Sequence, residues 1–220
     1  MLLQGHSGPV HSVTSSPLGD FMLSSSADTT VRLWSTKLNA NLVCYKGLNY
    51  PVWVVQFSPV GHYFASASQD RTARIWSMDR IQPLRIMAGH LSDVDEYGLI
   101  LGDAPDGRYM ASGDEDGTIM MWDLSNGRCV SPLLGHNSCV WSLAFSCEGS
   151  LLASGSADST VKLWDVTAST KGTKTDDIQS GNANRLRLLK TLPTKSTPVH
   201  ALRFSQRNLL FAAGVLSKGA

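Results

Sequence analysis

Long apolar runs are missing from this sequence. No eighteen consecutive apolar residues occur in its 220 positions, which excludes a transmembrane helix. The opening Met1-Leu2-Leu3-Gln4-Gly5-His6 has neither a basic flank nor an apolar stretch behind it, so it does not read as a signal peptide. No charge sign dominates either. The 19 Lys and Arg stand against 18 Asp and Glu, leaving no global field to draw the chain to nucleic acid or to an anionic membrane. Cysteine is sparse: Cys44, Cys129, Cys139 and Cys147 form no CxxC pair and no CxxC…HxxxH pattern, so no zinc site is expected. Small buried thiols among apolar neighbours are the plainer reading, and the chain reads as intracellular and reduced. Walker A, GxSxG, HExxH and EF-hand patterns are absent. No metal, no cofactor and no catalysis are expected.

A repeat is present. Asp28, Asp70, Asp116 and Asp158 each stand six residues before a tryptophan (Trp34, Trp76, Trp122 and Trp164), and those tryptophans are 42, 46 and 42 residues apart. Gly5-His6, Gly89-His90 and Gly135-His136 mark three repeat starts, and Gly47-Leu48 marks a fourth that lacks histidine. The units run over about 5–46, 47–88, 89–134 and 135–190, with a partial unit over 191–220 and a polar loop at 167–185. Within each unit the apolar period is two, which predicts strands. In the second unit these are Val52–Ser58, Tyr63–Ser68, Ala73–Trp76 and Leu84–Met87, with a tight turn at Gln69-Asp70-Arg71-Thr72. Four short antiparallel strands in a unit of about 42 residues is propeller-blade arithmetic. A sheet that is apolar on both faces becomes stable only between neighbours.

Gly-His…Asp-x-x-x-x-x-Trp-Asp resembles the WD40 repeat, complete at Trp122-Asp123 and Trp164-Asp165 and varied at Trp34-Ser35 and Trp76-Ser77. The resemblance implies an all-β WD40 β-propeller of four recognisable blades and a partial fifth, with no support for ring closure. It also implies buried His–Ser–Asp–Trp tetrads. Carried over, these are His6, Ser26, Asp28 and Trp34 in the first blade and His136, Ser156, Asp158 and Trp164 in the fourth. The second keeps Ser68, Asp70 and Trp76. The third keeps His90, Asp116 and Trp122, with Asp114 at the serine position and crowding His90. Looser locking is expected in both.

Three places break the pattern. Val94 to Pro105 is eleven residues where the matching steps are seven, and Asp95–Asp103 is a poor central strand; it reads as a join between halves of two blades. Leu2-Leu3-Gln4 reads as a stray outer strand that could pair onto the partial blade, and strands resume at Leu186–Leu192, Val199–Ser205 and Leu209–Ala213. Charge is uneven: residues 91–117 hold eight acids and one base, while 178–220 hold seven bases and no acid. A solvated rim explains this, as does a docking surface. His11, Trp53, Trp141 and His200 share one position early in the first strand, open to packing at a channel mouth or to partner contact. Asp114-Glu115-Asp116-Gly117 reads as a hairpin turn rather than a calcium loop.

Arg71-Thr72-Ala73-Arg74-Ile75-Trp76, Gln82-Pro83-Leu84-Arg85-Ile86 ahead of Gly89-His90, and Thr194–Val199 through Arg207–Gly214 resemble the WD-repeat TBP-associated factors, in wording closest to plant forms. That likeness implies a nuclear, non-enzymatic scaffold of the general transcription factor TFIID in RNA polymerase II initiation. Its partners would be TBP-associated factors, including histone-fold subunits, with no direct sequence-specific nucleic-acid binding and no membrane. Another WD40 adaptor, such as a ubiquitin-ligase substrate receptor or a signalling scaffold, is the competing reading.

Overall fold

Strand after strand of alternating apolar residues, punctuated by Pro-Gly and Asp-Thr turns, folds here into five antiparallel sheets. The computed structural model describes residues 2–92, 94–101, 108–167 and 186–215, for 94–101 the backbone alone. The first sheet contains β1 (Val10–Ser15), β2 (Phe21–Ser26), β3 (Val31–Ser35) and β4 (Ala40–Tyr45). The second contains β5 (Val52–Phe57), β6 (Tyr63–Ser68), β7 (Thr72–Ser77) and β8 (Arg85–Ala88). In the third are β9 (Val94–Leu101), β10 (Tyr109–Asp114), β11 (Ile119–Asp123) and β12 (Arg128–Leu133). The fourth contains β13 (Val140–Phe145), β14 (Leu151–Ser156), β15 (Thr160–Asp165) and β16 (Arg187–Pro193). A two-stranded sheet of β17 (Ala201–Phe204) and β18 (Leu210–Ala213) follows. Each four-stranded sheet is a simple meander in chain order.

The sheets stack face to face. The apolar clusters lie between successive sheets, as when Leu23 and Leu33 of the first meet Val52, Phe64 and Trp76 of the second. Similar clusters join the second to the third, the third to the fourth, and the fourth to β17. Each inner sheet is dried on both faces only by its neighbours, the physical requirement of a propeller. Along the stack β1, β5, β9, β13 and β17 pack in succession. Of these, β1, β5, β13 and β17 border a cavity of about 210 Å³ lined by residues such as Val13, Val55, Leu143 and Leu202. Neither β17 nor β18 packs on β1 to the extent seen between the other sheets, so the described residues show stacked blades without a closed ring. Val10 is 49% exposed and Val13 56%, whereas their counterparts Val52 and Val55 are 0% and 2%.

Two expectations change. The Val94–Leu101 backbone forms the innermost strand of the third sheet, pairing Leu101 with Met110 and Leu99 with Ser112. Backbone hydrogen bonding to β10 and a place between β5 and β13 override the glycine-punctuated sequence. Residues 102–107 of the supposed join, and 168–185 of the polar loop, lie outside the described residues. Leu2-Leu3-Gln4 forms no strand and instead borders a groove beside Trp34. Asp114–Gly117 is a hairpin turn, closed by Asp114 N–H on the Thr118 carbonyl at 3.0 Å, with Gly117 at φ 83°.

Candidate functional site: buried tetrads and the rims they hold

Each tryptophan of the repeat lies on the third strand of its sheet, with its indole turned toward the second strand. Trp34 pairs with Met22 across β2 and β3, and its ring reaches diagonally to the next same-face residue, Ser24. Trp34 Nε1–H donates to Ser24 Oγ at 2.8 Å, and Ser24 Oγ meets His6 Nε2 at 2.7 Å. His6 Nδ1 meets Asp28 Oδ2 at 2.8 Å. The network has one self-consistent proton arrangement: indole N–H to hydroxyl, hydroxyl O–H to Nε2, and Nδ1–H to carboxylate. The fourth blade repeats it with Trp164, Ser154, His136 and Asp158 at 2.8, 2.7 and 2.9 Å. The glycine before each histidine is there for room. A Cβ on Gly5 would meet the Trp34 ring at 3.1 Å, and one on Gly135 the Trp164 ring at 3.2 Å.

The serine therefore differs from the one expected. Ser24 and Ser154 bridge indole and imidazole, not Ser26 and Ser156. Those two stand one same-face step further along the strand and cap the following turn. Ser26 Oγ accepts from Asp28 N–H at 3.0 Å and donates to the Gly8 carbonyl at 3.2 Å. Ser156 does the same with Asp158 and Ser138, both at 3.0 Å. The sequence carried the signal: a serine stands ten residues before every one of the four tryptophans, including Ser66 and Ser112. At the capping position the third repeat has Asp114 instead.

That substitution reshapes the third blade without loosening it. Ser112 bridges Trp122 and His90 at 2.7 and 2.5 Å, and Asp114, not Asp116, accepts from His90 Nδ1 at 2.8 Å. Asp114 is 1% exposed, while Asp116 faces solvent, so the two carboxylates do not crowd the imidazole. The second blade is also re-satisfied. Leu48 replaces the histidine and joins the core at 4% exposure. Arg74 takes over its bond, donating to Asp70 Oδ2 at 2.7 Å and to the Gly47 carbonyl at 2.9 Å. Trp76 Nε1–H still finds Ser66 at 2.9 Å. Ser68 caps the turn, accepting from Asp70 N–H at 3.4 Å and donating to the Pro51 carbonyl at 2.9 Å.

A serine–histidine–aspartate chain invites comparison with a nucleophilic triad. Here Ser154 and Ser112 are 0% exposed, and each hydroxyl also accepts an indole N–H, so neither is presented to a substrate. Burial holds the His136 pKa below the ordinary histidine value despite the opposing pull of Asp158. Burial works against Asp158 and Asp28 as carboxylates. Hydrogen bonds from the neighbouring threonine hydroxyls and imidazoles outweigh it, leaving both below the usual range. Cys139 and Cys147 flank opposite ends of β13, and none of the four thiols is buried as expected: Cys129 and Cys147 are exposed and Cys44 and Cys139 half-buried. Among the described residues no three His, Cys, Asp or Glu gather as metal ligands.

The four predicted aromatic and imidazole residues form two separate pairs. His11 packs on Trp53 at 4.6 Å between centroids, joining the first and second blades. Trp141 stacks on His200 at 4.3 Å and 14°, joining the fourth blade to β17. All four are half-buried. Of the acidic run, Glu115 and Asp116 are exposed; of the basic run, Arg187, Lys190, Lys195, Arg203 and Arg207 are.

Comparison with known proteins agrees with this geometry. The sequence matches the family described as WD domain, G-beta repeat over residues 1–35, 41–77, 81–123 and 127–165. It is 68% identical to transcription initiation factor TFIID subunit 5 of Arabidopsis thaliana, over 100% of this chain and 38% of that protein. The chain thus spans well under half the length of that relative. The alignment extends over 257 residues against 220 here, an excess of 37.

Proposed function

Since the chain belongs to the WD40 repeat family, we propose that it is a non-catalytic scaffold of TFIID, acting in the nucleus in RNA polymerase II transcription initiation. The observation that carries this reading is the 68% identity to TFIID subunit 5 along the whole chain. It is supported by an architecture that spends its repeated chemistry on locking blades: every serine–tryptophan bond is buried. Rigid sheets of this kind hold the loops between them as a fixed display, which favours binding over turnover. Partners in this reading are TBP-associated factors, histone-fold subunits among them, and no nucleic-acid sequence is read directly. The His11–Trp53 and Trp141–His200 pairs offer half-buried aromatic surface between blades, suited to anchoring a partner. The excess of 37 residues in the aligned relative is close to one repeat. It supports the loss of about one repeat relative to that protein.

The test is affinity purification of the tagged chain from nuclear extract. Co-recovery of TBP and histone-fold TBP-associated factors is the expected result; recovery of cullin adaptors without them would replace this assignment with a ubiquitin-ligase receptor.

A further inference from the structure

The hairpin turns that join the first and second strands lie side by side in the first and second sheets and again in the fourth and fifth. In the fourth and partial fifth repeats the residue at the turn tip is charged: Glu148 and Arg207. In the first two it is Leu18 and Val60, which are 89% and 68% exposed. Singly exposed apolar residues are ordinary, but these two are neighbours on adjacent blades. They border one groove of about 260 Å³, lined also by Phe21 and Met78 and carrying Asp20 and Asp79.

The groove stays open for a local reason. Between the fourth and fifth sheets the equivalent turns are stapled. Asn208 accepts from Cys147 N–H at 3.1 Å and donates to Glu148 at 2.5 Å, and Cys147 Sγ donates to the Ser205 carbonyl at 3.3 Å. Between the first and second sheets no hydrogen bond joins the two turns among the described residues. Pro17 merely rests where a Cβ on Gly61 would be met at 3.2 Å. Among the described residues the Asp20 carboxylate is engaged only by Lys37, which is 75% exposed, at 2.7 Å. Asp79 faces solvent with no ion pair among the described residues. Its charge is felt nearby, since burial and then Asp79 push the Tyr45 hydroxyl up to about 12.

From this juxtaposition we infer that the groove between the first two blades docks a short linear segment of a protein partner, with one aromatic side chain flanked by Lys or Arg. A cavity of about 150 Å³ already holds benzene, so the space suits one aromatic ring. The apolar floor supplies affinity, and the two carboxylates select cationic flanks. The inference does not depend on which complex contains the chain.

Fluorescence polarisation with the intact chain tests it, using a labelled Gly-Arg-Phe-Lys-Gly peptide and a Gly-Glu-Phe-Glu-Gly control. Saturable binding of the first alone is expected, weakened by added salt. Asp79→Lys should lower affinity about tenfold, as expected for loss of a complementary charge. The double variant Leu18→Ser, Val60→Ser should lower it at least as much, and both should keep the parental melting temperature because the altered side chains are exposed. Three outcomes overturn the inference: no saturable binding by the unaltered chain, equal binding by the variants, or self-association that Leu18→Ser abolishes, which would assign the groove to a second copy.

Discussion

Replacing Ser154 by alanine removes the hydroxyl between Trp164 and His136. Both partners are buried, at 2% and 7% exposure, and each loses a bond: the indole donor at 2.8 Å and the imidazole Nε2 at 2.7 Å. An unsatisfied buried polar group costs about 1–3 kcal/mol, so the two together cost about 2–6 kcal/mol. Ser156→Ala forfeits only two bonds of a turn, about 1–2 kcal/mol. Ser66→Ala strands Trp76 alone, because the second blade has no histidine, and should fall between at about 1–3 kcal/mol. At about 2–4 °C per kcal/mol for a chain of this size, Ser154→Ala should lower the melting midpoint by at least about 4 °C. Urea unfolding followed by tryptophan fluorescence ranks the three variants. If Ser156→Ala proved as damaging as Ser154→Ala, the assignment of the bridging serine would be wrong.

Other expectations follow from the same geometry. Arg74→Met leaves Asp70 without its 2.7 Å partner in a site where its side chain is 14% exposed, and should destabilise by about 2–3 kcal/mol in the same unfolding assay. Gly155→Ala places a Cβ 2.5 Å from Val199 Cγ1 at the contact between the fourth sheet and β17. It should cost about 1–3 kcal/mol and loosen the terminal sheet first, read as faster amide exchange in Ala201–Phe204. Thermal melts across pH should show two declines. The His136 pKa is lowered from 6.5, so its contribution is complete above that value and fades as pH falls through the folded one. Asp28, Asp158 and Asp123 are also lowered. Arg108 holds Asp123 at about 2, so their contributions are complete above about 4 and are lost on further acidification. A midpoint that rose between pH 6.5 and 5 would contradict the histidine sign.

The candidate site was legible in unequal parts. Histidine, aspartate and tryptophan were found at His6, Asp28, Trp34 and at His136, Asp158, Trp164 because their spacing repeats. Serine was not, because Ser24 and Ser26 share a face of β2 under the period of two, and alternation cannot rank them. Pairing does: Met22 opposite Trp34 places Ser24, not Ser26, within reach of the indole. The third blade misled for a related reason. Asp116 has the expected six-residue spacing to Trp122, but the turn that Asp114 closes on Thr118 leaves Asp116 in solvent and Asp114 beside His90. Arg74 was invisible as a substitute for histidine, since its role depends on β7 carrying it past Asp70.

Sequence alone decided that the chain is a series of short strands in repeated units, because turn residues and apolar alternation act locally and recur. It also decided that each unit needs neighbours, since both faces of every sheet are apolar. Only the tertiary structure decided which hydroxyl satisfies which buried nitrogen, that Val94–Leu101 serves as an inner strand, and that two apolar turn tips meet across a groove. Those outcomes depend on register and on the approach of one sheet to the next, and distances between segments far apart in the chain are written in no single repeat.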